Sequence, residues 1–214
     1  MIKIHSFEFN PFSENTYVLS DETRECIVID PGCYSAEESA ELRDYIEKNE
    51  LIPVALINTH CHIDHMLGNK FVAETYKIDL QCNELELENL HFSPVYGPNW
   101  GIYPQISPEP TAFLKEGDVI RFGKSELQVY FTPGHSPGSV SLYHKEQNFV
   151  IAGDVLFRAS IGRTDLPGGD HAALLSSIRS KMFKFDDKCT VYSGHGPTTT
   201  IGFEKKYNPF LIAP

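Results

Sequence analysis

The alternation of apolar and polar residues predicts that the chain begins with β-structure. Three short segments bounded by turn residues read as strands: 2–9, 16–19 and 26–29. The third ends at the turn signal Asp30-Pro31-Gly32. From Ser35 to Asn49 the apolar residues keep helical spacing, and Ser35 with Glu38 forms a capping box. The pattern therefore predicts three strands that lead into an amphipathic helix.

A second strand-to-helix junction carries an unusual set of side chains. The short apolar run 54–58 predicts a buried strand, and residues 66–76 predict a helix. Between them lies the segment 59–65, Thr-His-Cys-His-Ile-Asp-His, which we term the histidine loop. Ligands often lie where a strand ends and a helix begins in layered α/β folds. The histidine loop is therefore the first candidate functional segment.

The spacing within the histidine loop indicates a metal site. In an extended chain, side chains at i, i+2 and i+4 point the same way, so His60, His62 and Asp64 converge. His65, at the predicted helix start, need not point with them and would serve a second metal. Cys61 points away from the proposed ligands in an extended segment, and we interpret it as a packing residue.

Regular patterning stops between about residues 84 and 113. This excursion begins with acidic residues and continues with aromatic residues among five prolines: Pro94, Pro98, Pro104, Pro108 and Pro110. It is too long for a simple connection. One interpretation is a lid whose aromatic side chains wall the active site; the other is an edge flap or a subunit contact.

The second half of the chain alternates hairpins, helices and glycine-rich loops. Strands are predicted at 119–122, 127–131, 139–143, 149–152 and 190–193. Asp170 is the predicted N-cap of one helix, and a short helix begins at about Thr199. Three further candidate ligands, each beside a glycine, follow strands of this half: His135, Asp154 and His195. The order of elements predicts one α/β domain over residues 1–214, with a two-sheet core flanked by helices.

Composition excludes some classes of function. The formal net charge of −11 argues against a nucleic-acid partner. No apolar run approaches membrane-spanning length, and the first residues lack a signal-peptide core. The five cysteines form no CxxC pair, which predicts free thiols in a reducing compartment. We expect a cytoplasmic protein without a membrane partner.

These motifs together resemble the metallo-β-lactamase superfamily, and within it the glyoxalase II group of hydroxyacylglutathione hydrolases. Beside the histidine loop, the resemblance rests on four stretches: 14–17, 30–32, 132–138 and 193–196, together with Gly153-Asp154. The resemblance implies a four-layer αββα sandwich. It also implies a metal-dependent hydrolase that acts on a small-molecule acyl thioester.

The ligand set follows from the same resemblance. It assigns His60, His62 and His135 to a first metal, Asp64, His65 and His195 to a second, and Asp154 to both. All are nitrogen or oxygen donors that suit Zn(II), our first choice, and also Fe(II) or Mn(II). Asp64 and Asp154 would be catalytic, orienting and bridging a metal-bound hydroxide that attacks the thioester carbonyl.

The chain departs from full-length glyoxalase II relatives in one respect. Those proteins carry a C-terminal helical domain that supplies part of the glutathione site, whereas this chain stops soon after His195. The resemblance therefore implies a short, single-domain hydrolase. Arg163 and Arg158 are candidate contacts to a substrate carboxylate. The alternative for either arginine is a structural salt bridge, with Asp165 or Asp170 as partner.

The sequence is also compatible with rival functions. A mononuclear iron persulfide dioxygenase, which resembles this sequence too, would use His60, His135 and Asp154. Another hydrolase of the same fold or a non-catalytic binding module are further alternatives. A lactamase role is disfavoured by the missing export signal, and RNA processing by the charge. The acyl group, the thiol carrier and the oligomeric state are not determined by the sequence.

Overall fold

In a computed structural model, which describes residues 1–212, the N-terminal segments form a six-stranded mixed sheet. Its strands follow one another in chain order: β1 (Lys3–Phe9), β2 (Glu14–Ser20), β3 (Glu25–Ile29), β4 (Ile52–Ile57), β5 (Leu80–Cys82) and β6 (Ala112–Phe113). β1, β2 and β3 are antiparallel, whereas β3 to β6 run parallel. The three strands predicted at the start of the chain are confirmed.

Helices pack on this sheet to form the first core. They are α1 (Ala36–Lys48), α2 (Asn69–Tyr76) and α3 (Leu87–Tyr96). α1 begins at Ser35 with the predicted capping box, in which Ser35 Oγ accepts from Glu38 N at 3.1 Å and Glu38 Oε2 accepts from Ser35 N at 2.9 Å. Leu42 and Ile46 of α1 are buried in the same cluster as Leu56 of β4. The amphipathic helix therefore covers one face of the sheet.

The helix predicted over residues 66–76 is shorter than expected. A single 3-10 turn covers Ile63–His65, and α2 begins only at Asn69. Gly68 lies between them and donates its N–H to Pro31 O at 2.7 Å. An ideal Cβ on Gly68 would lie 2.4 Å from Cys33 Sγ, so the chain passes too close to the β3 turn to hold a side chain there.

The excursion is ordered and begins with helical structure. A 3-10 turn (Glu84–Glu86) leads into α3, and a second one (Gly97–Trp100) follows it. No strand or helix is assigned between residue 101 and the start of β6. Ser107 Oγ accepts from Asn69 Nδ2 at 2.9 Å, which ties this stretch to α2.

A second six-stranded sheet contains most of the remaining strands. In chain order these are β7 (Val119–Phe122), β8 (Ser125–Phe131), β9 (Val140–His144), β10 (Phe149–Gly153), β11 (Leu156–Phe157), β12 (Ser160–Ile161), β13 (Thr190–Ser193) and β14 (Thr199–Thr200). The sheet order is β14-β13-β10-β9-β8-β7, and β11 pairs with β12 in a separate hairpin. β10 and β13 are parallel. β9 is antiparallel to both β8 and β10, and the pairs β11–β12 and β13–β14 are antiparallel as well.

Two further helices complete the second core: α4 (His171–Ser180) and α5 (Ile201–Tyr207). Asp170 caps α4 as predicted, because its Oδ1 accepts from Ala173 N at 2.9 Å. Leu174 and Ile178 of α4 are buried with Val150 of β10. The predicted α/β class with two mixed sheets is confirmed.

The chain divides into two compact units. The first contains residues 1–113 and the hairpin tip 121–126, and the second contains 114–120 and the chain from 127 onward. The single domain expected over 1–214 stays a prediction, and residues 213 and 214 lie outside the described part. Within residues 1–212, no helix is both long enough and apolar enough to cross a membrane.

Candidate metal centre

In the first unit, strand direction brings three polar segments to one edge of the sheet. β3 and β4 are parallel, so Asp30 after β3 and the histidine loop after β4 lie at the same edge. β2 is antiparallel to β3, so its first residue, Glu14, lies at that edge as well. Strand topology therefore brings together residues of this unit that are distant in the sequence.

The histidine loop brings its predicted ligands close together. His60, His62 and His65 are buried, and the ring centroid of His60 lies 4.8 Å from that of His62 and 4.1 Å from that of His65. The extended geometry ends at His62, because Ile63–His65 forms a 3-10 turn. That turn places Asp64 Oδ2 at 3.7 Å from His65 Nε2. His65 therefore lies close to His60 and Asp64 within this unit. The alternation of side chains in an extended chain does not predict this position; the 3-10 turn produces it.

Asp30 connects the end of β3 to both ends of the histidine loop. Its carboxylate accepts from Thr59 N at 2.6 Å and from Thr59 Oγ1 at 2.5 Å, and Oδ2 lies 3.3 Å from His65 Nδ1. Asp30 therefore caps a backbone amide and also contacts a predicted metal ligand. A carboxylate that accepts from Nδ1 leaves Nε2 of the same ring available for a metal.

Glu14 is a second buried carboxyl beside His65, outside the ligand set predicted from the sequence. It is fully buried, its Oε2 accepts from Thr16 Oγ1 at 2.8 Å, and its Oε1 lies 3.8 Å from His65 Nδ1. Burial raises the pKa of Glu14 well above its usual value, His65 opposes the rise, and Asp30 adds to it. The sequence signal for Glu14 is a charged residue at the first position of a strand whose other residues are mostly buried.

A buried acid from the excursion also reaches the histidine loop. Glu86 Oε2 accepts from the backbone N–H of Cys61 at 2.8 Å, between two predicted ligands. The Cys61 side chain lies in the hydrophobic core, as its interpretation as a packing residue requires. A hydrogen bond with Cys82 and burial raise the pKa of the Cys61 thiol well above its usual value. The sequence offered no sign of the Glu86 contact, which joins residues 25 positions apart.

In the second unit, the three remaining candidates also lie at one sheet edge. β8 and β10 are both antiparallel to β9, and β13 is parallel to β10. The carboxyl ends of these three strands therefore point the same way, and the loops after them carry His135, Asp154 and His195. Gly194 N donates to Gly153 O at 2.8 Å, which joins the ends of β10 and β13.

Asp154 is the centre of this second group. Its Oδ2 lies 3.4 Å from His135 Nε2 and 3.6 Å from His195 Nε2. His135 Nδ1 lies 2.7 Å from Arg163 O, so it donates to that carbonyl and directs the other ring nitrogen towards Asp154. The carboxylate and both imidazoles are thus held together within the second unit.

The two arginines proposed to contact substrate make contacts within the protein. Arg163 forms a bidentate pair with Asp165 at 2.6 and 2.8 Å, both side chains being exposed. The Arg158 guanidinium lies over the Phe203 ring, 5.0 Å from its centroid. The structure therefore contains the salt bridge to Asp165 that was the alternative for Arg163. A substrate contact by either arginine stays a prediction.

The donor chemistry of both groups fits divalent metals. Each unit supplies imidazole nitrogens and carboxylate oxygens, donors that suit Zn(II), Fe(II) and Mn(II). The first unit contributes His60, His62, Asp64 and His65, and the second contributes His135, Asp154 and His195. Joint coordination by both groups stays a prediction from the family resemblance.

Comparison with known sequences agrees with that resemblance. The profile of the metallo-beta-lactamase superfamily matches residues 9–195. A Bacillus subtilis protein named "Probable metallo-hydrolase YqgX" is 38% identical over 202 residues, which cover 94% of this chain and 93% of that protein. A Haemophilus influenzae protein named "Hydroxyacylglutathione hydrolase GloC" is 32% identical over 207 residues, which cover 94% and 93%.

Solved structures show the same similarity along the whole chain. One described as BLEG-1 B3 metallo-beta-lactamase is 36% identical with a TM-score of 0.87, covering all of both chains. Another, described as TTHA1623 in a di-iron-bound form, is 35% identical with a TM-score of 0.87, covering 97% of this chain and 100% of that one. Each similarity extends well beyond the histidine loop.

Proposed function

Because this chain belongs to the metallo-β-lactamase superfamily, whose fold binds divalent metals, we propose that it is a dinuclear, metal-dependent hydrolase of acyl thioesters. The substrate would be a hydroxyacylglutathione or a related small-molecule thioester, as in glyoxalase II. The observation that carries the proposal is the position of Asp154, whose Oδ2 lies near ring nitrogens of both His135 and His195. One oxygen between two imidazoles is the arrangement expected of a carboxylate shared by two metals.

The remaining ligand assignments follow the resemblance. His60, His62 and His135 would hold one metal, Asp64, His65 and His195 would hold the other, and Asp154 would bind both. When bound, the two ions would activate water and polarise the thioester carbonyl. The chain's own contribution is orientation: Asp30 holds Nδ1 of His65, and the Arg163 carbonyl holds Nδ1 of His135. Zn(II) suits the donors best, and the di-iron relative supports Fe(II) as the alternative.

The choice of a thioester has two supports. The relative named as a hydroxyacylglutathione hydrolase matches over nearly the whole of both chains. A thiolate also leaves with little need for protonation, so hydrolysis does not require a dedicated general acid. The proposed ligand set uses Asp64 and Asp154 as metal ligands, which is consistent with a reaction that needs no such acid.

The test compares Asp154→Asn with Asp44→Asn, a change of an exposed residue on α1. Both variants and the wild type are loaded with Zn(II), Fe(II) or Mn(II) and assayed with a hydroxyacylglutathione and a panel of neutral acyl thioesters. We expect Asp154→Asn to lose at least about 100-fold in kcat/KM, and Asp44→Asn to match the wild type. No hydrolysis of any thioester by the metal-loaded wild type would overturn the proposal.

A second candidate is β-lactam hydrolysis. The similarity to the structure described as a B3 metallo-beta-lactamase, at 36% identity over the full chain, favours it. A β-lactam belongs in the same substrate panel. If its kcat/KM exceeds that of every thioester, the second candidate replaces the first.

A further inference from the structure

A chain of contacts in the first unit leads from Asp64 to exposed aromatic side chains. Asn10 Nδ2 donates to Asp64 O at 3.0 Å and to Gly32 O at 3.0 Å. Phe12 N donates to Asn10 Oδ1 at 3.0 Å. The loop between β1 and β2 is therefore fixed to the histidine loop, and this fixes the backbone at Phe12.

The Phe12 ring continues the chain of contacts into the excursion. It meets Trp100 edge to face with centroids 6.3 Å apart, and Trp100 meets Tyr96 in the same way at 5.4 Å. Tyr96 packs against a small buried cluster that includes Ile63, the residue before Asp64. The contacts thus return to the histidine loop, and we term Phe12, Tyr96 and Trp100 the aromatic rim.

The aromatic rim presents apolar area to solvent. Phe12 is 38% exposed and Trp100 is 52% exposed. Single exposed apolar residues are common, but rings in mutual contact beside a predicted ligand form a surface that can cover an apolar group.

The charges around the aromatic rim restrict what it can bind. Residues 78–114 contain five acidic residues and no Lys or Arg, and residues 9–16 and 30–39 contain no Lys or Arg either. These segments offer no Lys or Arg to a carboxylate such as those of glutathione, and Nε2 of His91, their one histidine, lies 2.9 Å from Glu109 Oε1. These segments therefore provide no Lys or Arg for the charged part of a thiol carrier, which favours contact of this surface with the acyl group.

We propose that the aromatic rim is a specificity surface that binds an uncharged, aromatic or branched acyl group of the thioester substrate. This inference rests on the proposed thioester hydrolysis and adds its substrate class. Trp100 contributes the largest ring, and its exposed face is the part that such an acyl group would cover.

The kinetic test uses two thioesters of one neutral thiol, N-acetylcysteamine, with an acetyl or a phenylacetyl group. In Trp100→Ala we expect kcat/KM for the phenylacetyl thioester to fall about tenfold, and that for the acetyl thioester to change less than about twofold. Trp100→Phe should retain most of the preference. The matched control is Phe92→Ala, because Phe92 is 54% exposed on α3 and has no ring contact to the rim among residues 1–212.

A binding measurement accompanies the kinetics. Trp100 is the only tryptophan of the chain, so its emission reports directly on the aromatic rim. The non-hydrolysable phenylacetyl amide, an analogue of the phenylacetyl thioester in which NH replaces the thioester sulfur, should change the emission at a concentration where the corresponding acetyl amide does not. Thermal unfolding of each variant verifies that it is folded.

The outcomes separate the two proposals. Hydrolysis of a hydroxyacylglutathione but of neither N-acetylcysteamine thioester overturns the specificity surface and leaves the proposed function in place. Hydrolysis of no thioester at all by the metal-loaded wild type overturns both. Hydrolysis of both thioesters with no effect of Trp100→Ala, or with an equal loss on both, overturns the specificity surface alone. An unchanged emission with the phenylacetyl amide also contradicts it.

Discussion

Asp30 Oδ2 lies 3.3 Å from His65 Nδ1, although 35 residues separate the two in the sequence. The same carboxylate accepts from Thr59 at the other end of the histidine loop. The turn after β3 thus fixes both ends of the segment that follows β4. The Asp30 carboxylate therefore helps to orient the loop.

Replacement of Asp30 by Asn should weaken metal binding without unfolding the chain. The amide oxygen of Asn retains an acceptor for Thr59 N. The NH₂ group takes the place of Oδ2 and, being a donor only, can accept from neither His65 Nδ1 nor Thr59 Oγ1. We expect metal affinity to fall about 10- to 100-fold in competition with a chelator. Asp44→Asn on the exposed face of α1 is the control. Equal metal retention by Asp30→Asn and the control would show that the contact does not orient His65.

Loss of the Glu86 side chain should disturb the middle of the histidine loop. Glu86→Ala removes the acceptor of the Cys61 N–H, and we expect a loss of about 1–3 kcal/mol in the free energy of unfolding. Glu86→Gln keeps an acceptor oxygen and should recover most of that loss. The comparison is made by urea unfolding beside Glu88→Ala, an exposed neighbour on α3. Equal stability of Glu86→Ala and Glu88→Ala would contradict the contact.

Asp21 should make stability depend on pH in the acid range. It accepts from Thr23 N at 2.8 Å and from Lys124 N and Ser125 Oγ at 2.7 and 2.9 Å. Burial alone would raise the pKa of Asp21, but these hydrogen bonds outweigh it and lower the pKa from 3.8 to about 2.

Because the pKa of Asp21 is lowered in the folded protein, its ionised form stabilises the fold and its protonation destabilises it. The contribution of ionised Asp21 to the free energy of unfolding is fully present above its ordinary pKa of 3.8. It is lost as the pH falls towards the lowered pKa of about 2. We expect Asp21→Asn to cost about 1–2 kcal/mol near neutral pH, and the difference from the wild type to shrink at about pH 2–3 in urea unfolding. A difference that is constant over this range would contradict the assignment.

Asp165 provides the contrast to Asp21. The pKa of Asp165 is also lowered to about 2, by its hydrogen bond with Arg163, but both side chains are exposed to water. Solvent and salt screen such a pair, so Asp165→Asn should leave stability almost unchanged. A loss as large as that of Asp21→Asn would show that the pair is structurally important.

Gly162 should tolerate no side chain. An ideal Cβ there would lie 1.9 Å from Asp154 O and 3.0 Å from His135 Cβ. We expect Gly162→Ala to lose about 2–3 kcal/mol in urea unfolding and to lower metal content, because the backbone at Asp154 must move. Gly117→Ala measures backbone strain without steric conflict, since its Cβ meets nothing within 4 Å but its φ is +86°. For Gly162→Ala, a loss below about 1 kcal/mol with unchanged metal content would contradict the steric argument.

The sequence predicted the fold class and most strands because burial leaves a periodic pattern. The strand ends and the Ser35–Glu38 capping box are local signals, and the structure confirms them. The predicted start of α2 was wrong by three residues. Gly68 lies close to Pro31 and Cys33, and this long-range constraint leaves no sign in the spacing of apolar residues.

The candidate site was predictable only as a set of residue types. Spacing identified the histidine loop, and adjacent glycines identified the loops after β8, β10 and β13. The buried acids Glu14 and Glu86 were missed, because their partners lie far away in sequence. The pairing of Asp30 with His65 depends on the parallel register of β3 and β4, which no local pattern specifies.

The measurement that tests the central claim most directly is the metal content per chain of protein purified without added metal. We predict two divalent ions per chain, as zinc or as a mixture of zinc, iron and manganese, with thioester hydrolysis lost when they are removed and restored when they are returned. A single stoichiometric iron, with no gain of hydrolysis when more metal is supplied, would contradict the dinuclear hydrolase and favour oxidation of a persulfide.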